Sequence, residues 1–437
     1  MLQEIQYPVS RADLILRACN SQEPLQPGDS RWYDFAPLRH AWVLDRLERV
    51  FQGQLSSGKF HHRLLCGHRG SGKSTELLRF KEWALEHGFA CEHIEVDVRL
   101  GHVQLEFSDF YLLAAMATEA AMVALGSPLP SDSVEPIIKW FAEITDESSS
   151  HRESEMAVEA EAQLGGRLPL GLGRLVAKFS SATKAGASHA TTARQQMRQY
   201  PDRLIDLTNA LLEDATRRLR QLRRPHTGGL VLLFDNLDRY NPDAINQVLI
   251  SGSNLLRRLG CHALFTIPVD LEYNPRSGPL RDAYGQPVVL PMIPLRQSGD
   301  SWKKSVASSR HGQEAVAGLR EALAKRVAIE DVFDRSKDAE VLVKMSGGCI
   351  RDLMHLMTLS YEMSEGEKLS ARGVQRAVAE LRATHARELA QADYDRLADI
   401  AARRAVPRDE LTLRLLYNLG LWNIMTRMEA SGSTSTH

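Results

Sequence analysis

Residues 67–74 read Gly-His-Arg-Gly-Ser-Gly-Lys-Ser and fit the pattern G-x-x-x-x-G-K-[ST]. Few folds can carry this pattern. A short apolar run, Arg63-Leu64-Leu65-Cys66, precedes it. Residues 74–87 follow, with Leu77, Leu78, Phe80, Trp83 and Ala84 at helical spacing and Gly88 as a stop. Strand, glycine turn and helix in that order make a phosphate cradle. The glycines let the backbone bend so that its N–H groups point at phosphate oxygens, and the helix N-terminus adds positive potential. On this reading Gly67, Gly70, Ser71, Gly72, Ser74 and Thr75 line the cradle, and Lys73 reaches the β- and γ-phosphates of a nucleotide. The Ser74 hydroxyl holds Mg²⁺. The plainer alternative is a glycine-rich turn that merely opens a helix.

A second feature strengthens the first. Leu230-Val231-Leu232-Leu233-Phe234 is a continuous apolar run, as expected for a strand buried on both faces of a parallel sheet. It runs into Asp235-Asn236-Leu237-Asp238-Arg239. A carboxylate at such a strand tip is where Mg²⁺ needs a ligand, and Asp235 takes that role. Hydrolysis also needs a group that orients the attacking water. The position after Asp235 holds Asn236, which is no base. Asp238 is the nearest carboxylate and the candidate, with pairing to Arg239 or capping of the next helix as the alternative. Slow hydrolysis is the expectation.

The rest of the chain supplies the frame. Helices are expected over 38–54, 109–125 and 200–222, the last stopped by Pro225, and strands over 91–98, 263–267 and 288–290. Alternating strands and helices predict an α/β class, a mostly parallel sheet with both faces covered, followed by an almost wholly helical region. The expected domains are an N-terminal arm (1–30), a core (31–300) with a partly helical, partly mobile insertion over about 146–193, a helical lid with C-terminal helices (301–430) and a disordered tail (431–437); the polar, Pro-containing stretch 21–32 reads as a linker or irregular arm.

GHRGSGKST and LVLLFDNLDR together resemble the AAA+ and STAND-like branch of P-loop ATPases, and DNLDR is similar to the DDLDR-type motif of KAP ATPases. Residues 346–353, Ser-Gly-Gly-Cys-Ile-Arg-Asp-Leu, resemble the G-x-x-R-D segment that opens the sensor-2 helix of the AAA+ lid, notably in origin-recognition proteins. The resemblance spans roughly residues 30–365, without the insertion. It implies ATP and Mg²⁺ as ligands, Arg351 reaching the γ-phosphate from the lid, and Thr266 in the sensor-1 region. It also implies an arginine finger shortly before the strand at Val288, where Arg276 and Arg281 are in range. Tyr33-Asp34-Phe35 would border the adenine or simply pack. The implied activity is a nucleotide-dependent conformational switch in a multi-protein assembly, with bacterial defence among the settings of similar ATPases. A DNA-associated loader or initiator is the second class.

Composition narrows the setting. The chain has 437 residues, with 54 Lys+Arg against 55 Asp+Glu and a formal net charge of −1, which excludes a globally basic nucleic-acid coat. Arg217, Arg218, Arg220, Arg223 and Arg224 form a basic helix end, which fits either a nucleic-acid contact or a solvated helix terminus favoured by the macrodipole. The five cysteines (Cys19, Cys66, Cys91, Cys261 and Cys349) show no metal or disulfide framework and read as buried thiols in a reducing compartment. His61, His62 and His68 read as loop histidines. The first twenty residues lack a signal-peptide pattern, and the apolar stretch 110–126 contains Glu119 and reads as too polar to span a membrane. A cytoplasmic protein with a protein partner or further copies of itself is the expectation. The apolar stretch 411–425 would complete the lid core or dock that partner.

Overall fold

The computed structural model describes residues 5–53, 59–101, 105–145, 171–224, 226–275, 277–296, 305–403 and 406–419. Among the described residues, five parallel strands form one sheet: β1 (His62–Gly67), β2 (Phe89–Glu95), β3 (Gly229–Asp235), β4 (His262–Ile267) and β5 (Val288–Leu290), in the order β2-β3-β4-β1-β5. Every residue of β3 and β4 is buried. The alternation along each strand explains the continuous apolar runs. Leu64, Cys66, Leu232, Phe234, Ala263 and Phe265 face one core, with helices Phe107–Ala124 and Pro201–Gln221. Leu65, Val231, Leu233, Leu264, Val288 and Leu290 face another, with helices Val43–Gln52 and Lys73–Glu86. Both faces are thus covered, and the α/β class with a parallel sheet and a following helical region is what the chain adopts.

Several boundaries differ from expectation, each for a local reason. The helix expected over 38–54 is two pieces, Ala36–Arg39 and Val43–Gln52, because His40 takes a left-handed conformation at φ 49° and breaks the run. The strand expected over 91–98 ends at Glu95, and Val96–Leu100 turns helical, although the alternating pattern continues. Helix Pro201–Gln221 ends before Pro225, which lies outside the described residues. Of the insertion, 171–193 contributes helix Leu172–Lys184 and the start of Ser188–Gln199. Leu172, Val176, Phe179, Ala190 and Ala193 belong to the main core. The residues 146–170, most of GGRLPLGLGRL among them, lie outside the described residues.

Two expectations need larger correction. Residues 21–32 of the N-terminal region hold no helix or strand, as expected, but the residues before them are not a free arm. Val9, Ala12, Ile15, Ala18 and Cys19 are buried in the core of the helical domain, beside Leu319, Leu342, Leu353 and Met357. Helix Phe107–Ala124 is also long and apolar enough by composition to cross a membrane, Glu119 notwithstanding. It is instead a central core helix, with most of its length buried inside the protein. Burial raises the Glu119 pKa, and the Leu172 N–H, which its carboxylate accepts at 2.9 Å, opposes that only in part.

Candidate nucleotide site

The glycine turn joins β1 to helix Lys73–Glu86 at the C-terminal edge of the sheet, where parallel α/β sheets gather their ligands. Gly70 and Gly72 have φ of 82° and 100°, a region that side-chain-bearing residues rarely adopt. A Cβ on Gly72 would meet nothing within 4 Å, so the turn opens onto free space at that point. The Ser71 hydroxyl is buried and without a partner among the described residues. A concave turn at a helix N-terminus with an unused buried hydroxyl fits a phosphate chain.

Lys73 is nearly buried and fully engaged. Its ammonium donates to the carbonyls of Gly67 and His68 at 2.8 and 2.9 Å and pairs with Asp238 Oδ2 at 2.7 Å. The Asp238 carboxylate therefore meets Lys73 rather than Arg239, which pairs with Asp97 at 2.6 Å. The alternative pairing expected for Asp238 is not the one formed.

Asp235 lies at the tip of β3, almost wholly buried. Its Oδ2 meets His93 Nε2 at 3.0 Å, its Oδ1 accepts the Asn236 N–H at 2.7 Å, and the Ser74 hydroxyl also bonds the carboxylate. Burial alone pushes this carboxyl up, but the bonds from His93, Ser74 and Asn236 together hold it below the usual carboxylate range. It is an ionised, oxygen-donating group touching the Ser74 hydroxyl. Two hard oxygen donors beside a phosphate cradle suit Mg²⁺. The His93 contact was not legible in the sequence. It follows from the register that sets His93 beside Leu233, two residues before Asp235.

Asn236 has φ 66° and its side chain donates to Asp97 Oδ1 at 2.7 Å. Asn tolerates the left-handed region better than Glu does. The turn geometry thus gives a physical reason for an amide at this position. Thr266, on β4 between β1 and β3, is fully buried and does not line the cleft. Its hydroxyl accepts the Leu237 N–H at 3.2 Å and points back at the Phe234 carbonyl, so it braces the turn behind Asp235.

The cleft above the turn is closed by two other parts of the chain. Trp32, Tyr33 and Phe35 of the arm face Leu319, Ala322, Ile350, Leu353 and Met354 of the helical domain, giving an apolar end suited to a planar base. The Leu25 N–H bonds the Thr75 hydroxyl at 3.2 Å, which spends Thr75 on holding the arm. The buried Arg39 guanidinium donates to the Ser71 carbonyl and stacks 5.4 Å from Phe35. Arg79 lies 4.0 Å over the Trp32 ring. Of the residues from 25 to 39 at this cleft, only Tyr33 and Phe35 carried a sequence expectation there.

Arg351 opens helix Ile350–Glu362 and lines the same cleft. A Cβ on Gly70 would stand 2.6 Å from Arg351 Cβ, so the helical domain rests directly on the glycine turn. The Arg351 Nε is buried without a partner among the described residues. Gly348, at φ 86°, packs so tightly that a Cβ would meet the Ile293 carbonyl oxygen at 1.9 Å.

The C-terminal helix Glu410–Leu419 closes the outer side of the turn. Arg69 Nε donates to the Asp238 carbonyl at 3.0 Å, its Nη2 donates to the Tyr417 hydroxyl, and its guanidinium lies 4.6 Å over the Tyr417 ring. The Tyr417 hydroxyl donates onward to the Tyr240 carbonyl at 2.8 Å. His68 sits against the Leu416 backbone, and burial with the Lys73 charge lowers its pKa to about 4. Residues 420–425 of the apolar stretch lie outside the described residues.

The remaining candidates are accounted for locally. Arg281 pairs with Glu272 at 2.8 Å, and Arg276 lies outside the described residues. Arg217 and Arg218 pair with Asp214 on their own helix at 3.3 and 2.9 Å. All five cysteines are free and buried. His62 lies in β1 rather than a loop. No group of three or more His, Cys, Asp or Glu side chains suited to a metal ion occurs among the described residues.

No family model and no curated protein matches the sequence. Among solved structures, a Walker-type ATPase of Pyrococcus abyssi aligns over 91% of this chain and 90% of its own, at 12% identity and a TM-score of 0.37.

Proposed function

We propose that the protein binds ATP with Mg²⁺ between the glycine turn and the helical domain, hydrolyses it slowly, and uses it to switch the conformation of a multi-protein assembly. The observation that carries this reading is the contact set of Lys73. Its ammonium, held by Asp238 and two carbonyls of the turn, is the charge that a γ-phosphate would compete for. Engaging that phosphate releases Asp238. The Asp238 carbonyl holds Arg69, and Arg69 holds Tyr417, so the competition is felt at the C-terminal helix. Ser74 and Asp235 would hold the metal, which supplies charge neutralisation of the phosphates when bound. Arg351 would meet the γ-phosphate from the helical side, and binding that differs between closed and open arrangements drives the change.

A DNA-loading role is the second reading, and the internal pairing of Arg217 and Arg218 gives it less support. The test is titration calorimetry with ATP·Mg²⁺ on the wild type and on Lys73→Ala. Saturable one-to-one binding that the substitution abolishes is expected. Absence of binding by folded wild type sinks the proposal.

A further inference from the structure

We infer that Glu95, at the tip of β2, is the residue that orients and deprotonates the attacking water. This rests on the ATPase reading above. Glu95 is the direct register partner of Asp235 across the parallel β2–β3 pair. Cys91, four residues earlier on β2, and Leu233, two earlier on β3, both face the core beneath helix Lys73–Glu86. Side chains alternate along a strand, so Glu95 and Asp235 project to that same side, the side from which Ser74 rises.

Four carboxylates line the cleft: Glu23, Glu76, Glu95 and Asp238. Three of them have cationic partners before any nucleotide enters. Glu23 approaches Arg31 at 3.8 Å, Glu76 pairs with Arg79 at 3.4 Å, and Asp238 pairs with Lys73 at 2.7 Å. Glu95 is exposed, and its side chain has no hydrogen bond or ion pair among the described residues. It is also the one beside the metal-ligand candidates rather than the base end of the cleft. Asn236, the residue after Asp235, cannot take a proton, and its amide is committed to Asp97. The carboxylate missing from β3 is thus supplied by the neighbouring strand.

In the step assigned to it, the water oxygen forms a bond to the γ-phosphorus while the bond from that phosphorus to the β,γ-bridging oxygen breaks. The bond's electron pair leaves on ADP. The water proton passes to a Glu95 carboxylate oxygen and from there to solvent, leaving ADP and inorganic phosphate.

The experiment measures ATP·Mg²⁺ affinity by calorimetry and phosphate release under single-turnover conditions for wild type, Glu95→Gln, Glu95→Asp and Asp238→Asn. Glu95→Gln should bind ATP within about threefold of wild type yet release phosphate at least a hundredfold more slowly, in line with a lost general base. Glu95→Asp should recover part of the rate, and Asp238→Asn, which removes the carboxylate that phosphate binding frees, should slow phosphate release far less than Glu95→Gln; the reverse order overturns the inference. Wild-type hydrolysis by a binding-competent Glu95→Gln overturns the inference. So does ATP binding by wild type with no phosphate release at all, which leaves the nucleotide-switch reading standing. Failure of wild type to bind ATP marks instead the failure of that underlying reading.

Discussion

Two buried histidines carry a proton-linked cost. Burial lowers His262 to about 4, and burial with the nearby Lys73 charge does the same to His68. His262 Nδ1 accepts the His61 N–H at 3.1 Å, so protonating that nitrogen would set two donors against each other. Each ring is neutral when folded and titrates near 6.5 when unfolded. The unfolded chain therefore takes up more protons as pH falls. Stability is fully present above 6.5 and is lost as pH drops toward 4, by about 3 kcal/mol for each group at the acid limit. Asp270 works in the opposite sense, since burial raises it to about 6, and its share is lost as pH rises from 3.8. Thermal melting of His262→Gln should accordingly fall less steeply between pH 6.5 and 4.5 than that of wild type. Parallel curves would show that His262 does not titrate there. At the same scale, Asn236 illustrates a residue whose type could be read but whose reason could not. The sequence shows an amide where a base is common, and only its φ and its bond to Asp97 explain it.

At the level of elements, the strand–turn–helix unit and the buried β3 and β4 were legible because their signals are local: apolar runs, glycines and one lysine. The end of β2 was not, because alternation in 96–98 persists after the backbone has turned helical. The pairing of β2 with β3, which sets His93 and Glu95 beside Asp235, is a register between segments far apart in the chain and leaves no local mark. The contact of Gly70 with the helix that Arg351 opens is likewise a meeting of distant elements. It yields a specific expectation. Gly70→Ala places a methyl against Arg351 Cβ and imposes a left-handed φ on alanine, a backbone cost of roughly 1–2 kcal/mol. The helical domain should be held off the turn, weakening ATP binding by about tenfold, or 1.4 kcal/mol. Calorimetry on a sample with wild-type circular dichroism checks this, and unchanged affinity would show that the contact does not govern closure.

Across the whole molecule, three separated stretches converge on one turn: the arm through Leu25 and Arg39, the helical domain through Arg351, and the C-terminal helix through Tyr417 and Leu416. The domain division expected near residue 300 therefore misses how the chain is knitted, because residues 9–19 lie in the helical domain's core. Tyr417→Phe keeps the ring beneath Arg69 but removes one hydrogen bond accepted and one donated. Each is worth about 1 kcal/mol. Backbone amide exchange over 410–419 should speed up by about fivefold or more in this variant, and by as much in Arg69→Ala. Exchange that stays at the wild-type rate in both would show that the helix is anchored by its apolar contacts with Val269, Leu397 and Ile400 instead.

The arm has a further consequence for timing. It is rooted in the core of the helical domain at Ile15 and Ala18, meets Thr75 at Leu25, and returns past Trp32 and Phe35 along the rim. A nucleotide bound in the cleft would have this segment along one side. On the proposed reading, its residence time is governed by how often that segment peels away, so that tight retention and slow replenishment become properties of the first forty residues rather than of the phosphate grip.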